Sequence, residues 1–297
     1  MSSRRRFLQK STAAAALLGL PAGAVRAENR ASVSADSLRI SILSYAFHGL
    51  LREGKMDLFG YLESVKHRYG LGAADIWNGF LKSTDEAYIQ KVREGLEERE
   101  LDLSSIAVDE AYVWDDDAEI RERHYANAMA HLNAARILQP NFVRIDAGGE
   151  GEDWTEEQFD HIVMRFREYA QYAYDHGFKC GAENHWGPET NWKHLKRLTE
   201  AVDHPGFGLS CHIGAWRGTD EEKDQADREV APWVCTTHID WRICTGPMLR
   251  EKLANLWDAG YDGYYCVEHH SGKDEYREVA IQLALVRNEL ELMAGRK

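Results

Sequence analysis

From Leu38 to Met293 the chain alternates short apolar runs with longer amphipathic ones, eight times over. Short runs rich in apolar and β-branched residues suit strands, and apolar residues three and four apart suit helices. The strands are expected at 38–45, 73–77, 103–108, 142–146, 178–183, 206–212, 234–240 and 264–268. The helices are expected at 56–69, 84–100, 116–138, 155–176, 190–202, 220–230, 247–259 and 274–293. Leu58, Tyr61, Leu62 and Val65 share one face of the first helix, and Tyr88, Val92 and Leu96 one face of the second, with Ser83 or Thr84 as its cap. Gly70 and Gly177 punctuate helix ends. Eight strand–helix pairs predict an α/β chain folded as a single (β/α)8 TIM barrel over 38–297. An open doubly wound sheet would need a glycine-rich phosphate turn, which the sequence lacks.

The first 27 residues read as an export signal rather than as part of the fold. Arg4-Arg5 followed by Phe7-Leu8 resembles a twin-arginine signal, the Ala-rich run Ser11–Leu20 is too short to anchor the chain in a membrane, and Val25-Arg26-Ala27 offers a cleavage site. The expected organisation is therefore a signal peptide at 1–27, a polar linker at 28–37 and the barrel. The twin-arginine export machinery is the expected partner, and the periplasm of a bacterium the expected location. The formal net charge is −13, and cleavage after Ala27 removes five basic residues (Arg4, Arg5, Arg6, Lys10, Arg26) and no acidic one, leaving −18. So acidic a chain repels phosphate backbones, which argues against a nucleic-acid partner. Five cysteines, an odd number, read as small buried apolar residues and not as a disulfide framework.

Polar residues interrupt the apolar pattern where strands end. Lys179–Ala182 runs into Glu183-Asn184-His185-Trp186-Gly187, and His212, His238 and Glu268 follow at intervals of 29, 26 and 30 residues. In a barrel these tips converge on one mouth, together with Asp75, Asp109-Glu110 and Asp146. So many acidic groups are unfavourable together unless a cation opposes them. Two carboxylates and two imidazoles, from Glu183, His212, His238 and Glu268, make a shell for one divalent metal ion, Mn, Co, Zn or Mg.

These residues carry a resemblance. Ala182–Gly187, Gly208–His212, Thr237–Asp240 and Gly260–Glu268 resemble the xylose isomerase-like barrel superfamily over roughly residues 38 to 295, the Gly260-Tyr261-Asp262-Gly263 approach to Glu268 being the most specific piece. The group includes sugar isomerases, ketose 3-epimerases, dehydratases and an endonuclease. The resemblance implies that Glu183, His212, His238 and Glu268 hold the metal and that Glu183 and Glu268 flank the substrate as acid and base. His212 stands where the family usually has Asp, and Ala215 where many members have a substrate-contacting His or Asn. The endonuclease members assemble a fuller zinc-ligand set than is evident here.

The expected function is a metal-dependent sugar isomerase or epimerase acting on a free or glycosidic keto-sugar or polyol. A lyase that eliminates a β leaving group and a sugar-binding barrel without turnover are the alternatives. His185, Trp186, Asp75, Trp77 and Arg242 are the candidate substrate-binding residues. For each, a structural role competes: packing for the tryptophans, as for Trp216, and pairing with the acidic mouth for Arg242, as for Arg144. His269 and His270 are adjacent and cannot both face the mouth if the strand continues. Self-association as a homo-oligomer stays open.

Overall fold

The computed structural model describes residues 38–295; the leader expected at 1–27, the linker at 28–37 and the last two residues lie outside the described range. Eight parallel strands follow one another around the molecule: β1 Ile40–Ile42, β2 Ala73–Trp77, β3 Asp102–Val108, β4 Phe142–Ile145, β5 Lys179–Glu183, β6 Phe207–His212, β7 Val234–His238 and β8 Tyr265–Val267. β2 to β7 form one continuous ladder in chain order, and β1 pairs with β8. The two seams close by narrower contacts. Leu43 bridges to Asp75 at one, and Thr236–Tyr264 and Ile239–Val267 bridge the other. The result is the (β/α)8 barrel.

Of the ten α-helices among the described residues, two are short turns, His48–Arg52 and Trp241–Cys244, and eight cover the strands: α1 Leu58–Glu63, α2 Glu86–Glu98, α3 Ala118–Leu138, α4 Glu156–Asp175, α5 Trp192–Val202, α6 Asp220–Val230, α7 Leu249–Trp257 and α8 Glu275–Met293. Each turns an apolar stripe inward. On α5 that stripe is Leu195, Leu198 and Val202, all buried, and each leucine contributes about 1.5–3 kcal/mol by leaving water. α4 and α6 begin with reciprocal capping boxes, Thr155 with Gln158 and Thr219 with Glu222. Gly181 on β5 packs so closely on β6 that a Cβ there would lie 1.9 Å from the Gly208 carbonyl oxygen, so the strand admits no side chain at that point.

Three local details differ from the pattern reading. β1 ends at Ile42, because Ser44–Phe47 turns into a 3-10 helix that buries Ala46 and Phe47, and Ser44 Oγ accepts the Trp77 N–H at 2.9 Å. α1 runs on as a π-helical turn, Ser64–Arg68. The cap of α2 is Asp85 and not Ser83 or Thr84; Ser83 instead accepts the Asp85 N–H at 2.9 Å. The five cysteines are all free, and four of them are buried. Among the described residues no helix is long and apolar enough to cross a membrane.

Candidate metal and substrate site

β5 ends on Glu183, whose carboxylate is buried at the barrel mouth. Its Oε1 accepts Ser210 Oγ–H at 2.9 Å and His238 Nδ1–H at 2.6 Å. Ser210 reaches it because the β5–β6 register places the two side by side. The register of β6 with β7 likewise sets His212 beside His238, their rings 6.2 Å apart. Asn184, the residue after Glu183, fastens the end of β6: its amide donates to the His212 carbonyl at 2.8 Å and accepts the His212 N–H at 2.7 Å. Just past β8, Glu268 Oε2 stands 3.9 Å from His212 Nε2, and its Oε1 stands 3.3 Å from His270 Nε2. Glu183, His238, His212 and Glu268 thus form one unbroken arc of side chains from β5 to β8.

Arg144 braces the other flank. The side chain is only 3% exposed, donating Nη1 to Asp146 at 2.7 Å and Nη2 to Asp109 at 2.8 Å, with Nε 3.5 Å from Glu183 Oε2. Asp109 also accepts the Trp77 indole N–H at 2.6 Å. His185 Nδ1 lies 3.2 Å from Asp146 and 3.7 Å from Glu183.

Burial and charge pull the titrations of these groups in opposite directions. Burial alone would raise Glu183, but His238, His185 and Arg144 hold its carboxyl well below the usual range. Burial also works upward on Glu268, yet the bond to His270 and the His212 and His238 rings keep it at about 2. Burial opposes charge on His238, and the Glu183 carboxylate overcomes it and lifts the imidazole to about 9. At His212 burial wins and pushes the ring down, so this imidazole is neutral. The Glu268 bond raises His270. At His185 burial is outweighed by the bond to Asp146, and the ring is raised.

The candidate substrate residues fall in different places. His185 and Trp186 line a cavity of about 330 Å³ with His212, His270 and Trp241, and Arg242 stands on its rim with a side chain 91% exposed. Trp77 is half-buried and forms an aromatic wall with Tyr45, the ring centres 5.0 Å apart. Asp75 does not reach the mouth. It is fully buried inside the barrel, with Oδ1 accepting Ser105 Oγ–H at 2.6 Å and Oδ2 accepting Ser104 Oγ–H at 3.0 Å. The reason is its place in the strand: Asp75 lies two residues before the end of β2, below the strand tips. Trp216 has the packing role expected of it, being buried with its indole N–H donated to Asp227 at 2.7 Å. Of the adjacent pair, His270 faces Glu268, whereas His269 is buried beside Glu278 and Ser271.

Two compact groups of side chains could hold a divalent cation, Asp146–Glu183–His185 and Asp75–His238–Cys266, each with its ligand atoms within 4.8 Å of one another. His238 Nε2 is buried without a hydrogen-bond partner. The pairing of Arg144 with the acidic mouth, expected from the sequence, is present, while pattern reading missed the meeting of Tyr45 with His270, which only the folding of loops brings together.

Comparison with known proteins now adds to the geometry. The sequence profile of the xylose isomerase-like TIM barrels matches residues 66–288. The chain belongs to that family. No curated protein matches it. Among solved structures, a D-tagatose 3-epimerase-like protein superposes with a TM-score of 0.69 at 16% identity, covering 87% of this chain and 99% of the other. A xylose isomerase-like TIM barrel protein from Mycobacterium smegmatis, in complex with magnesium, gives 0.68 at 17% identity over 87% of this chain and 98% of its own. The 3-keto-D-glucoside 4-epimerase from E. coli gives 0.68 at 14% identity over 84% and 99%. At these identities the likeness speaks for the fold. Family and fold are consistent with enzymes of the sugar isomerase and epimerase type, and two clusters of side chains could hold a metal ion.

Proposed function

We propose that this xylose isomerase-like barrel is a divalent-metal-dependent isomerase or epimerase of a keto-sugar, free or glycosidically linked, exported through the twin-arginine route. The arc Glu183–His238–His212–Glu268 carries this reading: two ionised carboxylates with two imidazoles between them at one mouth. The donor set fits a divalent cation. His212 is a neutral imidazole with no ionic partner nearer than 3.9 Å, His238 has a buried unpartnered nitrogen, and both carboxylates are charged. The two compact groups fit less well. Arg144 already neutralises Asp146 at 2.7 Å, and burial drives the Cys266 thiol well above its ordinary range, which keeps it protonated. Glu183, His212, His238 and Glu268 are therefore the proposed ligands.

When bound, the metal would polarise neighbouring oxygens of the substrate and so acidify the carbon-bound proton next to the carbonyl. Glu268 is ionised and has fewer fixed partners than Glu183, so it is the proton acceptor. Glu183 is clamped by Ser210, His238 and Arg144, which fixes its direction on the opposite side, where it passes on a proton only after first taking one up from solvent. His185, Trp186 and the Tyr45–Trp77 wall orient the ring and exclude water.

The test is deuterium uptake from D2O into a panel of keto-sugars by the metal-loaded protein. Glu183→Gln and Glu268→Gln should keep metal and lose roughly two to four orders of magnitude in rate. Rates within a few-fold of the parent in both variants, with metal bound, would refute the acid–base pair. Loss of a β substituent among the products would make the enzyme a lyase. No exchange in any sugar would leave a binding barrel.

A further inference from the structure

A second cavity, of about 230 Å³, opens beside the loops that follow β3 and β4. Tyr112, Trp114 and Trp186 supply its aromatic surface, and Asp115, Asp116 and Glu150 its carboxylates. Trp186 also lines the cavity that contains His212 and His270, so one indole borders both spaces. That indole is 56% exposed. An exposed indole that borders two cavities is placed to contact whatever fills either one.

We propose that the outer cavity is a second sugar subsite, so that the substrate is a neutral glycoside of disaccharide size whose non-reacting unit lies against Trp114 and Trp186. This deepens the keto-sugar reading and rests on it for the identity of the reacting unit. The chemistry of the lining selects the ligand. Indole faces stack on the C–H faces of a pyranose, and carboxylates accept hydrogen bonds from its hydroxyls. Three acidic residues line the cavity and outnumber Arg121, which stacks on Trp114 beside them, so the net negative charge disfavours an anionic or phosphorylated unit.

The platform is built in advance. Trp114 N–H donates to the Ala147 carbonyl at 2.8 Å, its indole N–H donates to Asp116 at 2.9 Å, and the Arg121 guanidinium stacks 4.5 Å from the ring centre. The floor is bare backbone. A Cβ on Gly148 would fall 2.2 Å from the Trp114 carbonyl oxygen, and φ there is +76°, a conformation that favours glycine. A ring held in place before the ligand arrives loses little freedom on binding.

The experiment is calorimetric titration of the full chain with D-glucose and with maltose, cellobiose, lactose and trehalose. At least one disaccharide should bind about tenfold more tightly than D-glucose, the factor expected for one good stacking contact. Trp114→Ala should bring that ratio to within about twofold and leave D-glucose binding unchanged, and Trp114→Phe should keep most of it. Both variants are to melt with the parent, and the parent's disaccharide-to-glucose ratio carries the test if the Ala variant does not fold. A ratio below about twofold for every disaccharide, or one unaffected by Trp114→Ala, would overturn the subsite. Turnover enters separately. Glu268→Gln should retain the ratio; a chain inactive on all keto-sugars yet showing it would sink the enzymatic reading and keep the subsite. A chain active on free keto-sugars with no ratio would do the reverse.

Discussion

Arg144→Met would isolate how much of this fold's stability is tied to its site. Methionine keeps the length and most of the apolar stem, so packing around a side chain only 3% exposed changes little. What vanishes is a buried cation within 2.8 Å of two carboxylates, Asp146 and Asp109, and 3.5 Å from a third, Glu183. Removing one partner from a buried ion pair costs about 3–5 kcal/mol, because the remaining charge stays desolvated and unopposed. His185 is close enough to Asp146 and Glu183 to take over part of the compensation, so the lower end of that range is expected. A loss of about 3 kcal/mol is a large share of the 5–15 kcal/mol typical of a domain and would lower the melting temperature by roughly 10 °C. Urea denaturation at pH 7 measures it. Lowering the pH should shrink the deficit, since protonation discharges a carboxylate left without its guanidinium. Adding Asp109→Asn and Asp146→Asn to Arg144→Met should recover most of it. A deficit below about 1 kcal/mol in the single variant, or no recovery in the triple one, would mean that water or neighbouring imidazoles already neutralise these acids.

Removing both imidazoles, His212→Ala with His238→Ala, should reduce bound Mn²⁺ or Co²⁺ from one ion per chain to a small fraction by metal analysis; undiminished metal would refute the proposed ligand set. Because His238 is raised to about 9 by Glu183, the stability of the metal-free protein from this pair should be full below the ordinary histidine value and fade as pH rises through about 9, and metal binding should tighten with pH over the same range as the ion displaces that proton; melting curves and titrations from pH 6 to 10 read both. Asp75 is pushed upward by burial, so its charge costs stability as pH rises, and Asp75→Asn should be as stable as the parent or more so at pH 8, while the His238 titration, followed by NMR, should move below about 9 for want of a nearby negative charge. Arg4→Lys with Arg5→Lys should leave unprocessed protein inside the cell by fractionation, and normal export of that variant would show that the leader is not of the twin-arginine type.

The strand and helix pattern was legible in the sequence because it rests on local periodicity. α6 falls at Asp220–Val230 and β2 at Ala73–Trp77, the stretches that the residue pattern marks, and the other elements shift by only a few residues. The tips of β5 to β8 were legible for the same reason, since a polar residue ending an apolar run is visible in one dimension. Depth inside the barrel was not. Asp75 is the third of five residues in β2 and is enclosed by Ser104 and Ser105, whereas Glu183 is the last residue of β5. Register and loop path also decided which of His269 and His270 meets Glu268, and they gathered Arg144 with Asp109 and Glu183 from the ends of the neighbouring strands β3 and β5. The sequence determines which residue types end each strand, because that is a matter of neighbours a few positions away. Only the closed barrel determines which of those ends touch, because a carboxylate finds its counter-charge across strands, at distances no local pattern encodes.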